Sequence, residues 1–131
     1  MTRQCVRLVI CLLPIISGCA TSVPREDVPG SYVASYPFGS DELVLNADGT
    51  FIQKVSITGE QPMTTRGSWR FDAGDSELSL FGSFVVDDGF GKLRPDWRHI
   101  TRDAVELLPV ERIWFKVNVG SGGEFPYVKR K

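Results

Sequence analysis

The stretch Glu42-Leu43-Val44-Leu45-Asn46-Ala47-Asp48-Gly49-Thr50-Phe51-Ile52-Gln53-Lys54-Val55-Ser56-Ile57-Thr58 decides the fold. Side chains alternate across a strand, so Leu43 and Leu45 share one face of Glu42 to Leu45. Asn46 to Gly49 supplies turn residues, and Gly49 is free to take positive φ. Thr50 to Thr58 then returns with Phe51, Val55 and Ile57 at period-two spacing. Two strands and a tight turn make an antiparallel hairpin, the seed of an all-β domain.

Working outward, the same grammar repeats. Ser31 to Tyr36 is a strand stopped by Pro37. Thr64 to Asp72 puts Trp69 and Phe71 inward against Ser68 and Arg70 outward. Asp72-Ala73-Gly74-Asp75 turns into Glu77 to Phe81, where Leu78 and Leu80 face in, and Phe84 to Val86 reads as a brief edge. Val105 to Leu108 and Arg112 to Val119 form a second hairpin, with Ile113, Phe115, Val117 and Val119 as one apolar stripe. Phe125 to Val128 adds a last edge beyond Gly120-Ser121-Gly122-Gly123. No helical stripe persists for three turns from Ala20 onward. Consecutive strands joined by tight turns predict a single antiparallel meander, closing into a small barrel or a two-layer sandwich.

Ahead of this domain stands a different kind of sequence. Arg3 and Arg7 open a basic start, and Val6 to Ile16 is apolar apart from Arg7, too short for the ~20 apolar residues of a membrane span. It ends in Ile16-Ser17-Gly18-Cys19. This tetrapeptide resembles the lipobox of bacterial lipoprotein precursors. The resemblance implies a helical signal peptide over 1–18, cleavage before Cys19, and acylation of Cys19 with palmitate-type chains. Other readings are an ordinary secretory signal cleaved nearby, with Cys19 discarded, or an uncleaved anchor. Ala20 to Pro29 is polar with two prolines, so 19–29 reads as lipidated cysteine and flexible tether, and 30–131 as the β domain. Ala20 following the cysteine is the pattern of lipoproteins passed on to the outer membrane.

Composition narrows the functions. The cysteines are Cys5, Cys11 and Cys19, so the β domain has neither thiol nor disulfide and must rely on an apolar core. Roughly 100 residues suffice for one. Loss of Arg3 and Arg7 with the leader leaves 13 basic residues against 16 acidic ones, a formal net charge of −3. A mildly acidic domain disfavours nucleic acid and anionic lipid as ligands. Lys129-Arg130-Lys131 is a small basic exception at the terminus.

The Leu-x-Leu-x-x-Asp-Gly-Thr-Phe pattern of Leu43 to Phe51, followed by Gly67-Ser68-Trp69, resembles a sub-motif of small lipocalin-like envelope proteins. The segment Gly89-Phe90-Gly91-Lys92-Leu93-Arg94-Pro95-Asp96 resembles a group of uncharacterised bacterial lipoproteins. Both imply a fold and neither implies an activity.

Chemistry-bearing residues are sparse. His99 is the only histidine; Asp96 and Asp103 lie near it, but no serine occupies a nucleophile elbow. Asp87-Asp88-Gly89 lacks the spacing of a calcium loop and reads as a turn. No catalytic residue, metal site or cofactor is expected. The most unusual segment is Asp87 to Asp103, a long loop carrying Phe90, Arg94, Trp97 and Arg98. Its residues serve either as a plug of Phe90, Leu93 and Trp97 at one barrel end, or as a binding surface built on Arg94, Trp97 and Arg98.

These readings predict a non-enzymatic lipoprotein of the cell envelope, held to the outer membrane by its lipid and facing the periplasm. It binds another envelope protein or a small molecule through its β domain and the 87–103 loop, without nucleic acid and with no oligomeric state specified. The alternative is a lipocalin-like carrier of an apolar ligand inside the barrel.

Overall fold

In the computed structural model, which describes residues 22–99, 105–120 and 125–131, eight antiparallel strands close into a barrel in simple sequence order. They are β1 (Gly30–Tyr36), β2 (Gly39–Leu45), β3 (Thr50–Ile57), β4 (Met63–Asp72), β5 (Glu77–Phe81), β6 (Val105–Ile113), β7 (Lys116–Val119) and β8 (Tyr127–Lys129). Of the two closures open to a meander, the barrel is the one adopted. Ile16, Ser17, Gly18 and Cys19, the residues expected to form a lipobox, lie outside the described residues. Among those described, no helix is long and apolar enough to cross a membrane.

The founding hairpin forms in the expected register. Leu45 pairs with Phe51 and Leu43 with Gln53. The Asp48 carboxylate accepts the Thr50 N–H at 2.9 Å, and Gly49 takes φ +88°. Tight alternation follows around the barrel: Tyr32, Ala34, Leu43, Leu45, Phe51, Val55, Trp69, Phe71, Leu78 and Leu80 are all buried. Gly67 sits opposite Phe51, where an added Cβ would lie 2.1 Å from the Phe81 carbonyl and 2.6 Å from the Phe51 ring. The ring covers the glycine, filling the space a side chain would otherwise take.

Four expectations are corrected. The second hairpin does not turn near Pro109. β6 runs straight through Pro109, which pairs with Glu77, and the turn falls at Trp114-Phe115. The expected Ile113–Val119 stripe therefore breaks: Val117 and Val119 are buried, whereas Ile113 and Phe115 are exposed. Phe84 to Val86 belongs to no strand, although Phe84 and Val86 are buried. Of the last expected edge, Phe125 and Pro126 precede β8 rather than joining it.

The fourth concerns the tether. Over the described part of 19–29 it is not loose: Val23 and Val28 are 1% and 0% exposed and belong to the core. The Tyr32 hydroxyl donates to the Val28 carbonyl at 2.5 Å, and a short 3-10 turn at Arg25–Asp27 lays Arg25 over the Trp69 ring. Two valines in a polar, proline-bearing stretch gave little periodic signal, yet the open end of a barrel needs an apolar stopper.

The two ends of the barrel are thus unlike. One end gathers the entering segment, the turns at 46–49, 73–76 and 114–115, and the basic residues after β8. The other carries the long connection from β5 to β6.

Candidate functional site

The β5–β6 connection folds back over its end of the barrel. Phe84, Val86 and Trp97 are buried with Val55 and Ile57 in a second core cluster, with Phe38, Met63 and Leu93 packed against it. Trp97 meets Phe84 edge-on, with ring centres 5.6 Å apart. Of the three expected plug residues, Trp97 and Leu93 pack inward; Phe90 is 85% exposed.

Phe90 is exposed because the loop has its own small hairpin. Asp87 and Leu93 form a bridge, and Asp88 donates its N–H to the Lys92 carbonyl at 3.0 Å. The Asp88 carboxylate accepts the Phe90 N–H at 2.8 Å, while that of Asp87 accepts the Gly91 N–H at 2.9 Å. Both aspartates are spent on their own turn.

The expected binding trio divides. Trp97 is 2% exposed, whereas Arg94 and Arg98 reach the surface. Arg94 holds Asp96 through two contacts of 3.0 and 3.1 Å. Arg98 pairs with Glu60 and stacks over the outer face of Trp97 at 4.9 Å. His99 is exposed, its N–H donating to the Asp96 carbonyl; Asp103 lies outside the described residues. Among the described residues, no three His, Cys, Asp or Glu side chains gather as metal ligands.

Beneath the cap lies a polar cluster that the sequence reading missed. Gln53 on β3 accepts the Phe84 N–H at 2.7 Å, and donates to the Phe84 carbonyl at 3.0 Å and to Asp41 Oδ2 at 2.9 Å. The Tyr127 hydroxyl donates to the same Asp41 oxygen at 2.5 Å. Asp41 Oδ1 makes no hydrogen bond among the described residues. Burial, partly offset by these bonds, pushes the Asp41 carboxyl up to about 7. Glu106 on β6 is also pushed up by burial, against the Ser83 hydroxyl that donates to it at 2.7 Å.

Asp41, Glu106, Tyr36 and Tyr127 line a cavity of about 140 Å³ under Phe84 and Val86. Two carboxyl groups and two phenols in so small a space suit a cation, an amine or ordered water. A signal for this cluster was present: Asp41, Gln53 and Glu106 stand in phase with the inward residues of their strands. A polar residue at an inward position marks a buried network.

Compared with known proteins, the chain matches no family model and no curated protein closely.

Proposed function

We propose that this chain is a lipid-tethered, non-enzymatic binding module of the bacterial cell envelope, anchored through an acylated Cys19. Its capped end, carrying Arg94, Arg98 and the Phe90 tip, engages another envelope protein or a small molecule. The observation behind this reading is the opposition of the two ends. The chain enters the barrel at Val23, only a few residues beyond the lipobox, and the long loop caps the far end. A tether at one end leaves the other free to meet partners in the periplasm, with the outer membrane as the site of attachment.

The carrier alternative draws less support. Tyr32, Phe51, Leu43, Leu45 and Leu78 fill the barrel interior, and the cavity of about 140 Å³ beside them carries the Asp41 and Glu106 carboxyl groups in its wall. Sites for drug-sized ligands run to roughly 300–1,000 Å³ with mostly apolar walls.

Two experiments test the proposal. Metabolic labelling with a palmitate analogue is expected to mark the wild type and not Cys19→Ala; label surviving in the variant refutes the anchor. Photo-crosslinkers at Phe90 and Arg94 are expected to capture a discrete envelope partner. Equal capture from Asp75, at the opposite end, would remove the cap from the reading.

A further inference from the structure

The β6–β7 turn is built from residues that ordinary turns avoid. Trp114 and Phe115 hold φ values of +49° and +67°, the left-handed region usually left to Gly, Asn or Asp. They are also the two most exposed large apolar side chains among the described residues, at 86% and 93%. A tip that sets two aromatics outward in a strained conformation gains nothing for the barrel's own core. Such a feature calls for a partner.

Its surroundings say which. A shallow groove of about 260 Å³ beside the tip is lined by Arg112, Phe115, Lys116, Lys129, Arg130 and Lys131. Arg112 pairs with Asp27 at 2.7 Å and Arg130 with Glu42 at 3.2 Å; Lys116 and Lys131 have no ion-pair partner among the described residues. An acidic chain has thus gathered basic side chains around one aromatic tip. Aromatics flanked on one side by Lys and Arg match a bilayer interface, where rings sit at headgroup level and cations meet anionic lipid.

The path of the chain points the same way. The Asp27–Arg112 pair ties the entering segment to this hairpin, and Ser22 shares a surface groove with Glu111 and Arg112. Only Ala20 and Thr21 separate Cys19 from Ser22, a span of at most roughly 11 Å. A lipid on Cys19 would therefore hold this end of the barrel at the membrane. We propose that the Trp114–Phe115 tip and its basic collar dock into the anionic surface of the lipid bilayer, fixing the barrel's orientation on it. This rests on the anchored-module reading for its setting, and the tip's own affinity is testable without the lipid.

All eight strands and both core clusters of the described residues lie beyond Ser22, so a chain begun at Ala20, without leader or acyl group, keeps every one of them and is expected to fold. Trp69 and Trp97 are 3% and 2% exposed, which leaves Trp114 as the tryptophan that responds to lipid. Mixed with vesicles of phosphatidylethanolamine and phosphatidylglycerol, this chain is expected to show a blue-shifted emission quenched by brominated acyl chains. Added salt should weaken the effect, and vesicles of phosphatidylcholine alone should give less.

The double variant Trp114→Asn/Phe115→Gly keeps the turn and removes the rings; its partitioning is expected to fall by about tenfold or more. Three results overturn the proposal: no shift with excess anionic lipid, undiminished binding by the double variant, or a tip-dependent dimer that forms without lipid. Palmitate labelling of Cys19 is scored separately, so failure of the anchor and failure of the tip are told apart.

Discussion

Gln53 grips Phe84 at both backbone groups, accepting its N–H at 2.7 Å and donating to its carbonyl at 3.0 Å. One side-chain amide thus does for an irregular loop what a strand partner does for a strand. It satisfies two buried backbone groups 31 residues away and pins the cap to the barrel wall.

Gln53→Leu leaves the Phe84 backbone and Asp41 Oδ2 each short of a partner. Stability is expected to fall by about 2–4 kcal/mol, measured by urea denaturation. Hydrogen exchange should localise the loss, with amides of 84–97 deprotected well before those of β1 to β3.

Acid should stabilise this barrel across the mildly acidic range. Asp41 rises from 3.8 to about 7 in the folded protein, and Glu106 is raised beside it. Between those values the folded state holds a proton that the unfolded state has released. Stability is therefore greatest below the unfolded value and declines as pH climbs through about 7, by up to a few kcal/mol. Melting temperatures from pH 4 to 8 check the sign, and Asp41→Asn should flatten most of the slope. A wild-type protein that gains stability over that range would contradict the buried, partly unpaired Asp41.

Trp97 and Arg98 are neighbours with opposite expectations. Removing the buried ring in Trp97→Ala should cost about 3–5 kcal/mol. Arg98→Ala loses an exposed ion pair and a surface stack, at most about 1 kcal/mol, and should leave the fold intact. Thermal melts of the two variants settle this.

The strained turn predicts an inverse result. Trp114→Asn/Phe115→Gly installs residues suited to left-handed φ and should raise stability by about 1–3 kcal/mol, read from the same melts. A variant sturdier than the parent, yet poorer at meeting lipid, would mark a feature kept for function.

How much of this was legible depended on whether local chemistry and tertiary role agreed. At Asn46 to Gly49 they do: turn residues sit where the turn is, and the flanking apolar residues keep phase. At Trp114 and Phe115 they conflict. Aromatics in a run of alternating apolar residues read as strand interior, and only the closed register, with Ile113 facing Lys116, shows that they form the tip. Val23 and Val28 were hidden for another reason, since plugging a barrel end requires two apolar contacts and no periodicity. The network of Asp41, Gln53 and Tyr127 joins residues as many as 86 positions apart, which no sequence window brings together. Trp97 was placed among its possible neighbours, but the loop's own hairpin, which turns Phe90 outward, emerged only with the fold.

The barrel is sealed by its shortest strand. β8 meets β1 through two residue pairs, Tyr32 with Lys129 and Val33 with Val128, and meets β7 through two more. Fraying along this narrow zipper bares the flanks of β1 and β7, whose unpaired amides then seek a replacement strand. If the proposed lipid tether confines the molecules to two dimensions, the nearest replacement is the β8 of a neighbour. Crowding would then favour strand exchange, and a charge set within the zipper itself, at Lys129, works against it.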